Sequence, residues 1–416
     1  MKATQSFHSV SKFSIIKIFI LLILTFLITT SCDLTDPKKD KPKPEGYQED
    51  IPWPSLADSP WPMFHGDAQL TGRSRYRGPT QGVISNRIPA SQMQAGISIG
   101  YNSIIYYTAS GRLIASDYNG NKIWETWLAS EISTTPLVGK DSTIYFSSGS
   151  LKRIYAVNTN GNIKWEYKSK TDIWNSTLGI DLEGNIYFLT NKTLTVLTHD
   201  GTFLWELYDE RFLSGSDNGF SFSPDGETIY LHGYNVSLLA IDISSRKVKW
   251  TFGNRWLESG ALVDNQGNIY IFPDSNPNEE NYFYSLTPLG EIRWKFKHDE
   301  NNFMFDNVEP AIDKEGNIYF GFNKLYSLDY FGKLRWKVDL EGSEIVSSVL
   351  VDNIGNIFIG TGGSNDTKIM SFNNAGVKNW EVIIFDERGL GSSAAISDNG
   401  SLLFPTFRSD NFYIIK

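Results

Sequence analysis

The chain has 416 residues, of which 40% are hydrophobic and 14% aromatic, enough apolar material for a packed core and too much for a disordered protein. Its formal charge is −9, and the first 31 residues hold three lysines (Lys2, Lys12 and Lys17) and no acid, so the remainder carries −12. An acidic body of this kind argues against a nucleic-acid backbone or an anionic lipid surface as the main partner.

The N-terminus reads as an export signal. Lys12 and Lys17 precede an apolar run from Ile18 to Ile28 interrupted only by Thr25, followed by Thr29, Thr30, Ser31 and Cys32. Eleven helical residues rise only about 16 Å, half of a ~30 Å hydrocarbon core, so the run is a signal-peptide h-region rather than a membrane span. Cys32 is the only cysteine, which rules out a disulfide within the chain. Its place directly after the h-region resembles the lipobox of bacterial lipoproteins, with Thr29 where that pattern has an aliphatic residue. The resemblance implies a signal peptide over residues 1–31, a lipid anchor on Cys32 and a membrane-anchored protein of the cell envelope, periplasmic or surface-exposed.

Residues 32–60 contain Pro37, Pro42, Pro44, Pro52, Pro54 and Pro60 and few apolar side chains. The composition predicts an extended tether between anchor and folded body. The folded body is then residues 61–416.

From about residue 95 the chain is periodic. Trp124, Trp165, Trp205, Trp250, Trp294, Trp336 and Trp380 recur at intervals of 40 to 45 residues. A glycine stands four places before each except Trp250, where the residue is Arg246. A second phrase, DLEGNIYF from Asp181, returns as DNQGNIYI from Asp264, DKEGNIYF from Asp313 and DNIGNIFI from Asp352. Aspartate bonding its own turn and glycine at positive φ predict two hairpins per period, hence four short strands, which is one propeller blade. Strands of the IYF type number eight and tryptophan strands seven. The spare segment from Gly82 to Ala90, GVISNRIPA, therefore completes the last blade, giving an all-β, eight-bladed propeller of four-stranded blades closed by an N-terminal strand.

The repeats IASDYNGNKIW and YAVNTNGNIKW resemble those of the PQQ-like, quinoprotein-type β-propellers, and WPMFHGDAQLTGRS (residues 61–74) resembles the segment that precedes the first blade in non-enzymatic members. The resemblance implies the fold and stops there. Its alcohol dehydrogenases hold a quinone beneath a disulfide of adjacent cysteines and over a calcium ion; this chain has neither those cysteines nor clustered acids that single out a calcium site. No cofactor and no metal are expected. His8, His65, His199, His232 and His298 lack ligand spacing, and there is no GxSxG elbow, P-loop or GxGxxG after a strand, so no catalytic residue is assigned.

Function is then expected in segments that break the repeat. If the tryptophan strand is outermost, these emerge on one face and carry Trp174, Arg211, Arg255, Trp256, Phe303 and Phe305, side chains of the kind that anchor interfaces. The reading is a non-catalytic scaffold that binds an envelope protein and no nucleic acid. Two other classes stay open: carbohydrate binding through Trp174 and Trp256, and an enzyme, either quinoprotein-like or a hydrolase using acids at the propeller mouth.

Overall fold

The computed structural model describes residues 42–416 apart from 94, 129–131, 133, 174–176, 191, 213–218, 256, 258, 274–278, 301–307, 363–366, 385–392 and 407–409. Residues Gly46–Lys416 form one compact unit, and Met1–Glu45 is a separate one.

Gly46–Lys416 is an eight-bladed β-propeller of four-stranded antiparallel blades, with strands in sequence order in blades 1 to 7 and an N-terminal strand completing blade 8. The innermost strands have two residues each: Ser98–Ile99, Leu137–Val138, Gly179–Ile180, Ser221–Phe222, Leu262–Val263, Ala311–Ile312, Leu350–Val351 and Ala395–Ile396. All sixteen residues are buried. The outermost strands, such as Ile163–Lys168, alternate between exposed and half-buried side chains because one edge faces solvent. Blade 7 departs from the expected count, since Glu344–Ile345 adds a short fifth strand beside Gly362 and Thr361.

The repeated phrase is a hydrogen-bonded turn in which four of its residues have a task. In blade 5, Asp264 Oδ1 accepts from Gln266 N at 2.9 Å and Asn268 N at 2.8 Å, and its Oδ2 accepts from Asn268 Nδ2 at 2.8 Å and the Tyr270 hydroxyl at 2.9 Å. Gly267 sits at φ +83°, where a side chain would be strained. Asp181 makes the same set with Glu183, Asn185 and Tyr187.

The glycine before each tryptophan has a second role beyond its turn. Gly201 packs on the indole of Trp165 in the preceding blade, so that a Cβ would stand 2.6 Å from the ring, and Trp165 Nε1 donates to His199 O at 3.1 Å. The same contact joins Gly290 to Trp250 and Gly332 to Trp294. In blade 4 the glycine is replaced by Arg246, which adopts φ 57° and lays its guanidinium over Trp205, 5.6 Å from the ring centroid. The tryptophans are thus inter-blade wedges.

Ile84–Pro89 pairs with Asn411–Ile415 and forms the outer strand of the eighth blade, as expected. Ile88 takes the tryptophan position, against Gly120 of blade 1. The ring therefore closes on hydrogen bonds between the two ends of the domain.

Residues 46–60 do not form the expected tether. Trp53, Leu56 and Ala57 are buried, Trp53 Nε1 donates to Ile180 O at 2.9 Å, and Ala57 N donates to Val138 O at 3.0 Å. Trp53 and Leu56, standing among the prolines, supply the apolar anchors that hold this segment down. The following stretch crosses the axis of the ring. Inner strands expose an unpaired edge there, and residues 61–72 satisfy it. Ile99, Val138, Phe222, Val263, Ile312 and Val351 donate their N–H groups to Trp61, Pro62, Ala68, Gln69, Thr71 and Gly72 at 2.7 to 3.1 Å. This plug lies on the face that carries the Asp-x-x-Gly turns (the turn face).

Candidate functional site

In every blade the outer strand ends, and the next inner strand begins, on the face opposite those turns. This loop face receives the segments that break the repeat. Of the expected anchors, Arg211 and Arg255 lie among the described residues; Trp174, Trp256, Phe303 and Phe305 lie outside them, as does the lipidation candidate Cys32.

Arg211 follows the outer strand of blade 3, Phe203–Tyr208. Its guanidinium is paired with Asp209 through Nε at 2.8 Å and Nη2 at 2.6 Å, which holds the Asp209 carboxyl below its ordinary range. Its carbonyl accepts from Tyr234 N at 2.7 Å, tying blade 3 to the hairpin of blade 4. Arg255 follows the outer strand of blade 4, Lys247–Phe252, and reaches into blade 5, where it donates to Asn281 Oδ1 at 2.8 Å, to Glu280 O at 3.2 Å and to Glu279 at 2.5 Å. With its side chain 23% exposed, Arg255 is first a staple between blades. The structure therefore puts both arginines on one face of neighbouring blades, each already engaged by acids of the same chain.

The channel holds residues that the repeat pattern had hidden. Two places before each inner strand stand, in blade order, Gly96, Thr135, Thr177, Gly219, Gly260, Glu309, Ser348 and Ser393. All are buried. Successive members touch around the axis: Gly96 N donates to Thr135 Oγ1 at 2.9 Å, and Glu309 takes hydrogen bonds from Ser348 Oγ and, at 3.4 Å, from Gly260 N. Burial pushes the Glu309 carboxyl up to about 7. Leu70 of the plug fills the space that side chains at Gly219 and Gly260 would need. His65 of the plug donates its N–H to Ser393 Oγ at 3.2 Å and bonds Pro310 O through Nε2 at 3.1 Å; burial lowers its pKa to about 4, leaving the imidazole neutral at pH 7. Aligning the repeats on their inner strands would have picked out Glu309 as the one acid among small residues.

This ring does not suit the calcium–quinone pair of the family's dehydrogenases. Its eight members offer one carboxylate, both of whose oxygens have partners, and none of the eight is an amide. Among the described residues no group of three or more His, Cys, Asp or Glu side chains is placed to hold a metal ion.

Residues 79–270 match the family described as outer membrane protein assembly factor BamB. Lambda-carrageenase from Pseudoalteromonas sp is 22% identical over 225 residues, covering 51% of this chain and 23% of the relative, so the chain spans about a quarter of that protein's length. Among solved structures, quinohemoprotein alcohol dehydrogenase from Comamonas testosteroni superposes with a TM-score of 0.67 at 12% identity, over 85% of this chain and 80% of that one. BamB from Moraxella catarrhalis superposes with a TM-score of 0.52 at 14% identity, over 76% of this chain and 97% of that one. At these identities the superpositions establish the fold alone.

Proposed function

We propose that this PQQ-like β-propeller is a non-catalytic scaffold of the bacterial cell envelope, exported, lipid-anchored through Cys32, and engaging a protein partner with its loop face. The observation that carries the reading is the split between the two faces. One is regular, and six of its eight inner strand edges are hydrogen-bonded to residues 61–72. The other receives every connection between blades and so carries the variable chemistry, as loops on a rigid scaffold do. The match of residues 79–270 to an assembly-factor family supports the same reading. Arg211 and Arg255 contribute by fixing the bases of two loops, and Trp174, Trp256, Phe303 and Phe305 are the proposed contact residues.

Affinity capture from detergent-solubilised envelopes tests it. The proposal expects one stoichiometric protein partner, whose recovery falls when Trp256 and Phe303 are replaced by alanine; recovery indifferent to both substitutions contradicts it.

The similarity to a lambda-carrageenase supports a second reading, carbohydrate binding on the same loop face through Trp174 and Trp256. Retention on immobilised lambda-carrageenan that is lost with Trp174→Ala would favour it over the protein scaffold.

A further inference from the structure

On the turn face, the buried segment of residues 46–60 (the strap) and the plug with the residues that follow it, to Arg75, line a cleft of about 480 Å³. That is within the range of ligand pockets, ~300–1,000 Å³, and its walls interleave apolar residues with six charged ones, Asp50, Asp58, Asp67, Arg73, Arg75 and Lys140. Ile51, Trp53 and Leu56, with several prolines, supply the apolar surface.

Carboxylates and cations are equal in number in the cleft, and Arg73 also acts on Asp67 through space, but their hydrogen bonding is incomplete. Asp67 is fully engaged by its own turn, accepting from Gln69 N at 3.1 Å, Thr71 N at 3.0 Å and the Thr71 hydroxyl. Arg75 is paired with Asp58 at 2.9 Å. Arg73 is different: its side chain is only 5% exposed, yet Nη1 is buried with no acceptor. Nη2 donates to Glu49 O at 3.0 Å and meets Asp50 at a long 3.4 Å. Asp50 is half exposed, so it can swing into solvent at little cost. Lys140 lines the same cleft, is exposed, and its ammonium has no partner among the described residues. A buried guanidinium with an idle N–H is costly, and a planar two-oxygen acceptor matches its fork.

We propose that this cleft binds a small organic carboxylate, which displaces Asp50 from Arg73, takes both nitrogens of the guanidinium and is held at its other end near Lys140. The carboxylate belongs to either a sugar acid or a peptide C-terminus, and the test separates the two. The site is independent of the loop face and of any partner there.

Calorimetric titration of the full folded protein at pH 7 uses two probes, digalacturonate and the tripeptide Ala-Pro-Ala as free acid, each beside its methyl ester or amide. At least one acid should bind, and its neutral counterpart should not; which acid binds identifies the source. Asp50→Ala removes the internal competitor and should tighten binding about fivefold or more, while Lys140→Ala should weaken it by a similar factor. Glu227→Ala, the same charge change on an exposed turn of blade 4, should leave affinity unchanged, which separates competition at Arg73 from general charge. Binding of neither acid at millimolar concentration, equal binding of acid and neutral form, or Asp50→Ala without any gain would overturn the proposal. All three substitutions are at exposed or half-exposed side chains, so folding survives them.

Discussion

Gly78 N donates to Asp352 Oδ2 at 2.9 Å, in the place that a tyrosine hydroxyl occupies in blades 3, 5 and 6. Blade 7 has Phe358 where those blades have Tyr187, Tyr270 and Tyr319, and the chain entering the ring supplies the missing donor. Gly78 lies so close to Phe358 that a Cβ on it would stand 2.4 Å from Cζ. The departure from the repeat is therefore matched to the point where the N-terminal segment leaves the plug.

Restoring the repeat should consequently do harm. Phe358→Tyr places a hydroxyl where Gly78 now sits and is expected to lower stability by ~1–3 kcal/mol, whereas Tyr319→Phe in blade 6 leaves Asp313 Oδ2 one donor short and costs ~1–2 kcal/mol. Chemical denaturation of the two variants measures both; a stabilised Phe358→Tyr variant would show that Gly78 is not an essential donor.

Glu309 sets a pH dependence of definite sign. Its folded pKa is raised from the usual 4.5 to about 7, so below pH 4.5 both states are protonated and it contributes nothing. Between 4.5 and 7 the unfolded chain ionises while the folded one holds its proton, and stability falls by about 3 kcal/mol before levelling off. Glu309→Gln should erase that decline. Parallel pH profiles for wild type and variant would show that the carboxyl is not buried as described.

The strap makes truncation informative. A chain starting at Gly46 keeps every contact of the folded unit and should melt with the full-length protein. One starting at Trp61 loses the buried Trp53, Leu56 and Ala57 and should melt several degrees lower, by the ~2 kcal/mol or more of burying such side chains. Equal melting temperatures for the two would return residues 46–60 to the role of tether.

Arg255 and Arg211 should differ in folding. Arg255→Ala removes the donors to Asn281 Oδ1 and Glu280 O between blades and is expected to cost ~1–3 kcal/mol. Arg211→Ala breaks an exposed pair with Asp209, two residues away, and should cost ~1 kcal/mol or less. Thermal melts of the two variants decide this.

Much of the fold was legible because each blade repeats its own instructions. The Asp-x-x-Gly-Asn-Ile-Tyr phrase names a turn, its donors and a strand, and the count of eight such strands against seven tryptophans already pointed to the segment from Gly82 to Ala90, which holds the observed strand Ile84–Pro89, as the closing strand. The packing of Gly201 on Trp165 was not legible, since positive φ alone accounts for glycine there. Nor was the plug: Trp61, Leu70 and His65 lie outside the period, and only the three-dimensional ring shows that the inner strands need partners along the axis. Glu309 and Arg73 were missed for the same reason, as each matters through neighbours remote in sequence. The loop-face arginines were found by composition, which could not foresee that Asp209 and Glu279 already engage them.

Site-specific photo-crosslinking in intact cells reports which face of the propeller meets a partner. A crosslinker replacing Tyr234, which is 49% exposed on the loop face beside Arg211, should yield a discrete protein adduct, and one replacing Glu315 on the turn face should yield none. An adduct at Glu315 with none at Tyr234 would contradict this, because the turn face would then be the interaction surface.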